Sequence, residues 1–113
     1  MVSNQNLPTV LVNGISTSMF GHPQCLTIEL RRLSIEELRE LLQGNVVSFI
    51  RHQSTVQVLS QLAQRQIEIN NGIYMYRGER IVLVVLQVPQ RGQETSVKLE
   101  DLTFYEVVVK QLE

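Results

Sequence analysis

Between Ser48 and Gln57 the chain reads Ser-Phe-Ile-Arg-His-Gln-Ser-Thr-Val-Gln, and no other stretch is better equipped for chemistry. His52, one of only two histidines, falls where an apolar, strand-like run gives way to an amphipathic helical pattern. Ser54 is the expected cap of that helix, with Gln57 closing a capping box. The first turn of a helix leaves backbone N–H groups unpaired and carries partial positive charge, so it readily seats a phosphate. A histidine two residues before the cap is within reach of such a phosphate. Imidazole titrates near neutrality and can give or take a proton there. The pattern points to phosphodiester chemistry that needs no metal. The plain alternative is a polar surface histidine beside an ordinary Ser-capped helix. These residues alone do not separate the two.

Several elements must position them. Met1 to Asn6 is polar and expected to fray. Thr9 to Val12 is a short β-branched run and reads as a buried strand, ended by Asn13-Gly14. Ile15 to Phe20 is a loop or one turn of helix, and Gly21-His22-Pro23 breaks the chain again. Cys25 to Leu30 alternates and reads as a half-buried strand. Ser34 and Glu37 form a capping box, Ile35, Leu38, Leu41 and Leu42 make an apolar stripe, and Gly44 stops that helix. Val46 to Ile50 is the next strand. The helix Ser54 to Arg65 then turns Val58, Leu59, Leu62 and Ala63 to the core. Ile73 to Tyr76 and Arg80 to Val88 read as the arms of a hairpin turning at Arg77-Gly78-Glu79, with Tyr74 and Tyr76 exposed or at an interface. Ile81 to Leu86 is apolar throughout and reads as a central strand covered on both faces. Pro89 to Ser96 is a polar loop, Lys98 to Leu102 a turn or short helix, and Phe104 to Val109 a final strand. The sum is one α+β (mixed α/β) domain over residues 1–113, with a single mixed sheet of five or six strands and two or three helices.

Composition narrows the function. Net charge is −1, which argues against a generic duplex nucleic-acid binder with its basic face. The single cysteine, Cys25, rules out an intrachain disulfide framework and fits a reducing cytoplasm. No opening segment reads as a signal peptide, and the longest apolar run is far too short to span a bilayer. His22 and Cys25 lie close together, but two potential ligands do not make a metal site.

Four motifs occur in one order: Leu11-Val12-Asn13-Gly14-Ile15-Ser16, His52-Gln53-Ser54-Thr55, Gln87-Val88-Pro89-Gln90-Arg91 and Phe104-Tyr105-Glu106-Val107. In order and spacing the chain resembles the viral ring nucleases, the type III anti-CRISPR family, from Thr9 to Val109. The resemblance implies a homodimer with a mixed sheet flanked by helices and no cofactor. It implies binding of cyclic tetra-adenylate, the second messenger of type III CRISPR complexes. It also implies metal-independent cleavage of that ring to linear di-adenylate bearing a 2′,3′-cyclic phosphate. Residue by residue, it assigns His52, Arg91 and Glu94 to catalysis. Asn13, Ser16, Ser54, Thr55, Gln87 and Gln90 become ligand contacts. Two positions depart from the family pattern. Gln53 stands where Asp is common, and Asn70-Asn71-Gly72 lacks the basic residue the family places after the second helix.

The chemistry accounts for those residue types. The substrate's own 2′-OH attacks the adjacent phosphorus and expels the next 5′-oxygen, so in-line positioning supplies much of the rate. His52 as imidazolium would protonate the leaving oxygen. Backbone N–H groups and hydroxyls of Ser54 and Thr55, with Arg91, would stabilise charge on the phosphoryl oxygens, and Glu94 would orient Arg91 or His52. Each residue also has a plain reading. Asn13 can be a turn residue, Ser54 a cap, Gln87 and Gln90 solvated, Arg91 a surface charge and Glu94 a loop acid. Two other functions stay open: a module that sequesters a cyclic oligonucleotide without cutting it, and a small dimeric interaction or regulatory protein.

Overall fold

The computed structural model describes residues 7–87 and 97–113. Five strands form one mixed sheet: β1 (Thr9–Val12), β2 (Leu26–Arg32), β3 (Val46–Phe49), β4 (Arg80–Leu86) and β5 (Leu102–Leu112). Their order across the sheet is β2-β5-β4-β1-β3. β1 pairs in parallel with both β3 and β4, while β5 runs antiparallel to β4 and β2. The apolar run Ile81 to Leu86 lies within the middle strand, as its lack of alternation requires.

Strand alternation sends side chains to two cores. On one face Leu11, Val82, Val84, Leu102 and Phe104 meet α1 (Ile35–Leu42) and α2 (Gln53–Ala63). On the other, Val10, Val12, Ile81 and Val107 meet Met19, Phe20 and Tyr74. Met19 and Phe20 come from a single 3-10 turn, Thr17–Phe20. The helix-side core is assembled by spacing: Leu38 and Leu42 of α1, and Val56, Leu59 and Ala63 of α2, are all buried.

Helix α1 begins as its sequence requires. Ser34 Oγ accepts from the Glu37 N–H at 3.1 Å, and Glu37 Oε1 accepts from the Ser34 N–H at 2.9 Å. The Ser34 backbone hydrogen bond leads the causes that hold the Glu37 carboxyl below its ordinary pKa. Helix α2 departs from expectation at both ends. It starts at Gln53 with His52 as the cap residue and no side-chain cap bond, so Ser54 is not the cap and no Ser54–Gln57 box forms. The Val56 N–H donates to the His52 carbonyl at 3.1 Å, so the helix begins two residues earlier than the capping pattern suggests. At the other end Gln64 takes a left-handed φ of 58°, and the Arg65 N–H closes on the Ser60 carbonyl at 3.3 Å. This stops the helix at Ala63 rather than Arg65. The Arg65 guanidinium then donates to the Leu42 and Gly44 carbonyls, at 3.0 and 2.6 Å, and ties the end of α2 to the end of α1.

The expected hairpin is not formed. Residues 70–79 make no strand. They carry the chain from the helix side, where Ile67 is buried, past the end of β3 to the opposite face. The Asn70 N–H donates to the Ile50 carbonyl at 2.9 Å, and the Tyr76 N–H to the Met19 carbonyl at 2.8 Å. Tyr74 and Tyr76 are therefore not exposed side chains. Tyr74 is buried against Phe49, and Tyr76 is half-buried against Phe20. The alternation Ile73-Tyr74-Met75-Tyr76 is real, but an extended connection satisfies it as well as a paired strand does.

Candidate functional site

The three parallel strands end at the same edge of the sheet, and in sheets of this kind ligands bind beyond the carboxyl ends of the strands. Val12 is level with Phe49 of β3 and Leu83 of β4. The residues that follow at this edge are Asn13, then Ile50-Arg51-His52, and past a longer β4, Gln87.

A cleft of about 410 Å³ opens there, on the face opposite the helices. Val12, Asn13, Ser16, Phe49, Arg51 and Tyr74 are among its lining residues. Asn13 is half-buried where β1 ends. Ser16 leads into the 3-10 turn; its Oγ lies 2.9 Å from Ser18 Oγ, and its N–H points to Met19 Sδ at 3.2 Å. The aromatic wall is Phe49 with Tyr74, ring centroids 5.4 Å apart and planes tilted by 49°. Tyr74 is fastened from behind, because its hydroxyl donates to Glu79 Oε1 at 2.6 Å and the Arg77 N–H donates to the same oxygen at 2.8 Å. Burial works against ionisation of Glu79, but those two hydrogen bonds, its own backbone N–H and the Arg77 charge together hold the carboxyl below its ordinary pKa. Burial first, then the bond to Glu79, pushes the Tyr74 hydroxyl well above the usual phenol range.

The structure thus brings together Asn13 and Ser16. His52 stands next to the cleft in the chain but does not line it; its side chain is exposed at the head of α2. Ser54 is half-buried in the first turn of α2, and Thr55 is only 2% exposed, with its hydroxyl inside the protein. Because no side chain of the cap residue closes α2, the first-turn N–H groups remain open to an incoming anion. Gln87 is exposed, and its N–H donates to the Asp101 carbonyl at 2.8 Å. The strand register sets it about 10 Å beyond the level of Asn13. Gln90, Arg91 and Glu94 lie outside the described residues. Arg51, Phe49 and Tyr74 are lining residues that sequence reasoning did not single out. The available signal for Arg51 was its place directly before His52.

Among the described residues no cluster of three His, Cys, Asp or Glu side chains is placed to hold a metal ion, and no helix is long and apolar enough to cross a membrane. A family model described as STIV B116-like matches residues 9–108. Among solved structures the fold is similar to B116 of Sulfolobus turreted icosahedral virus, with a TM-score of 0.67 and 23% sequence identity over 89% of this chain and 98% of that one. At that identity the likeness establishes the fold. A comparison with curated proteins returned no match.

Proposed function

The chain belongs to the STIV B116-like family, and from that premise we propose that it is a metal-independent ring nuclease. It cleaves cyclic tetra-adenylate to linear di-adenylate with a 2′,3′-cyclic phosphate, in the host cytoplasm, and so withholds the messenger from CRISPR effectors. The observation that carries this reading is the cleft at one edge of the sheet where Asn13, Ser16 and Arg51 meet, with His52 next in the chain at the uncapped start of α2. Polar groups, a cation and open N–H donors there suit a phosphodiester, and the Phe49–Tyr74 wall suits a base. The substrate 2′-OH attacks phosphorus, the bond to the next 5′-oxygen breaks, and the His52 imidazolium gives that oxygen its proton. The proton lost from the 2′-OH passes to solvent. Ser54 stands by the open turn. Gln87, with Gln90, Arg91 and Glu94 of the following loop, completes the proposed contacts.

The acting unit is a homodimer. Ile73 is 75% exposed, Met75 49% and Val47 36%. All three border a hollow that also includes Phe49 and Tyr74, two residues of the cleft wall. A second copy seated on this apolar patch would extend one cleft toward the other. A volume near 410 Å³ lies at the small end of ligand sites, so a four-nucleotide ring needs such an extension. Two copies of His52 on a fourfold ring give two cuts and two dinucleotides.

A second reading, capture without cleavage, rests on one observation: His52 does not line the cleft. Incubation of the protein with cyclic tetra-adenylate in EDTA, with products read by mass spectrometry, separates the readings. Linear di-adenylate carrying a cyclic phosphate supports the nuclease. An intact ring that co-elutes with the protein supports capture, and an intact ring that does not bind overturns both.

A further inference from the structure

We infer that Arg51 is a substrate-binding residue of this site, holding a phosphate of the cyclic oligonucleotide inside the cleft; the inference rests on the functional reading above and adds to it a contact that the family resemblance does not assign. Arg51 is the only cation among the described residues that line the cleft, and no carboxylate lines it. Around it stand the Asn13 amide and the hydroxyls of Ser16 and Ser18. A lone guanidinium among neutral donors, with no acid beside it among the described residues, is a site for an anion. Arg51 is exposed, and among the described residues it makes no hydrogen bond or ion pair that would commit it to the fold. Three arginines do have protein partners. Arg31 and Arg80 are paired with Glu106, and Arg65 is spent on the carbonyls that end α1.

Among the described residues no other cation stands on that wall. Gly72 shares the cleft with Arg51, and the segment Asn70-Asn71-Gly72 carries no charge. Arg51 follows Ile50, whose side chain is fully buried and whose carbonyl is held by the Asn70 N–H at 2.9 Å. The backbone that carries the guanidinium is therefore fixed, while its side chain has no partner among the described residues. Placed between the cleft and His52, Arg51 would seat the phosphate whose neighbour His52 serves.

The test measures binding of cyclic tetra-adenylate in a His52→Ala background, where the ring survives, and compares Arg51→Ala, Arg51→Gln and Arg51→Lys within it. Loss of one charge-assisted contact predicts binding weaker by about ten- to a hundredfold for Ala and Gln. Lys should restore part of it, since it keeps the charge and loses the planar fork. The salt dependence should also flatten in the Ala and Gln variants, by up to about 0.7 in the log–log slope for one phosphate contact. Melting temperature should stay unchanged, because Arg51 holds no other group among the described residues. Equal binding by His52→Ala and its Arg51→Ala derivative overturns the assignment of Arg51 while leaving the site intact. No binding by His52→Ala itself overturns the functional reading and this inference together.

Discussion

Replacing Tyr74 by Phe removes one oxygen from the rear of the cleft wall and nothing from its face. In the native protein that hydroxyl donates to Glu79 Oε1 at 2.6 Å, and Tyr74 as a whole is 6% exposed. A hydrogen bond to a charged acceptor contributes about 1.5–3 kcal/mol to stability. Glu79 is half-exposed and retains the Arg77 N–H, so the lower end applies, about 1.5 kcal/mol. At about 4–8 °C per kcal/mol for a domain near this size, the variant melts about 6–12 °C lower at pH 7. The pH dependence gives a sharper check. The pKa of Glu79 is lowered on folding, so its share of stability is complete above about 4.5 and is lost as the pH falls through the lowered value. The pKa of Tyr74 is raised, so its share is complete below about 10 and is lost as the pH rises further. Tyr74→Phe should flatten both limbs of the stability profile. Thermal unfolding followed by circular dichroism across pH reads all of this. A melting point within about 1 °C of wild type, with both limbs unchanged, would refute the reasoning.

Three further changes test the scaffold and its assembly. Ser34→Ala removes the side-chain half of the α1 capping box and should cost about 0.5–2 kcal/mol in urea denaturation, with no change in slope. Gln64→Gly relieves a left-handed residue at the end of α2 and should gain about 0.5–1 kcal/mol in the same assay; a loss would mean that the Gln64 side chain contributes more than its backbone costs. Ile73→Glu places a charge in the exposed patch beside the cleft and should shift the protein to monomer in analytical ultracentrifugation, with cleavage falling in parallel. A dimer unaffected by that change would locate the subunit contact elsewhere.

What was legible in the sequence follows the range of the interactions. The strand Thr9–Val12, the capped helix after Ser34 and the apolar run within β4 rest on alternation, capping chemistry and burial, all of which act over a few neighbouring residues. The beginning of α2 lies outside what the serine pattern encodes, because the Val56 N–H closes on the His52 carbonyl and leaves Ser54 inside the first turn. The hairpin before β4 was misjudged for a related reason. Alternation in Ile73 to Tyr76 records which side chains are covered, not whether the backbone is paired, and the covering partners Phe20 and Phe49 are distant in the chain. The site was half visible. Asn13 and Ser16 could be named from the motif, but Arg51 joins them only because β1 and β3 pair in parallel, with Val12 beside Phe49. That juxtaposition depends on non-local pairing that no short motif encodes.

The central claim is that His52 protonates the leaving oxygen, and a single-turnover comparison of wild type with His52→Ala tests it most directly. With protein in excess over cyclic tetra-adenylate in EDTA, binding and product release drop out of the rate. Both proteins should form the same product, the variant roughly 10²–10⁴ times more slowly. A variant that cuts the ring at the wild-type rate would remove His52 from the chemistry and contradict the account.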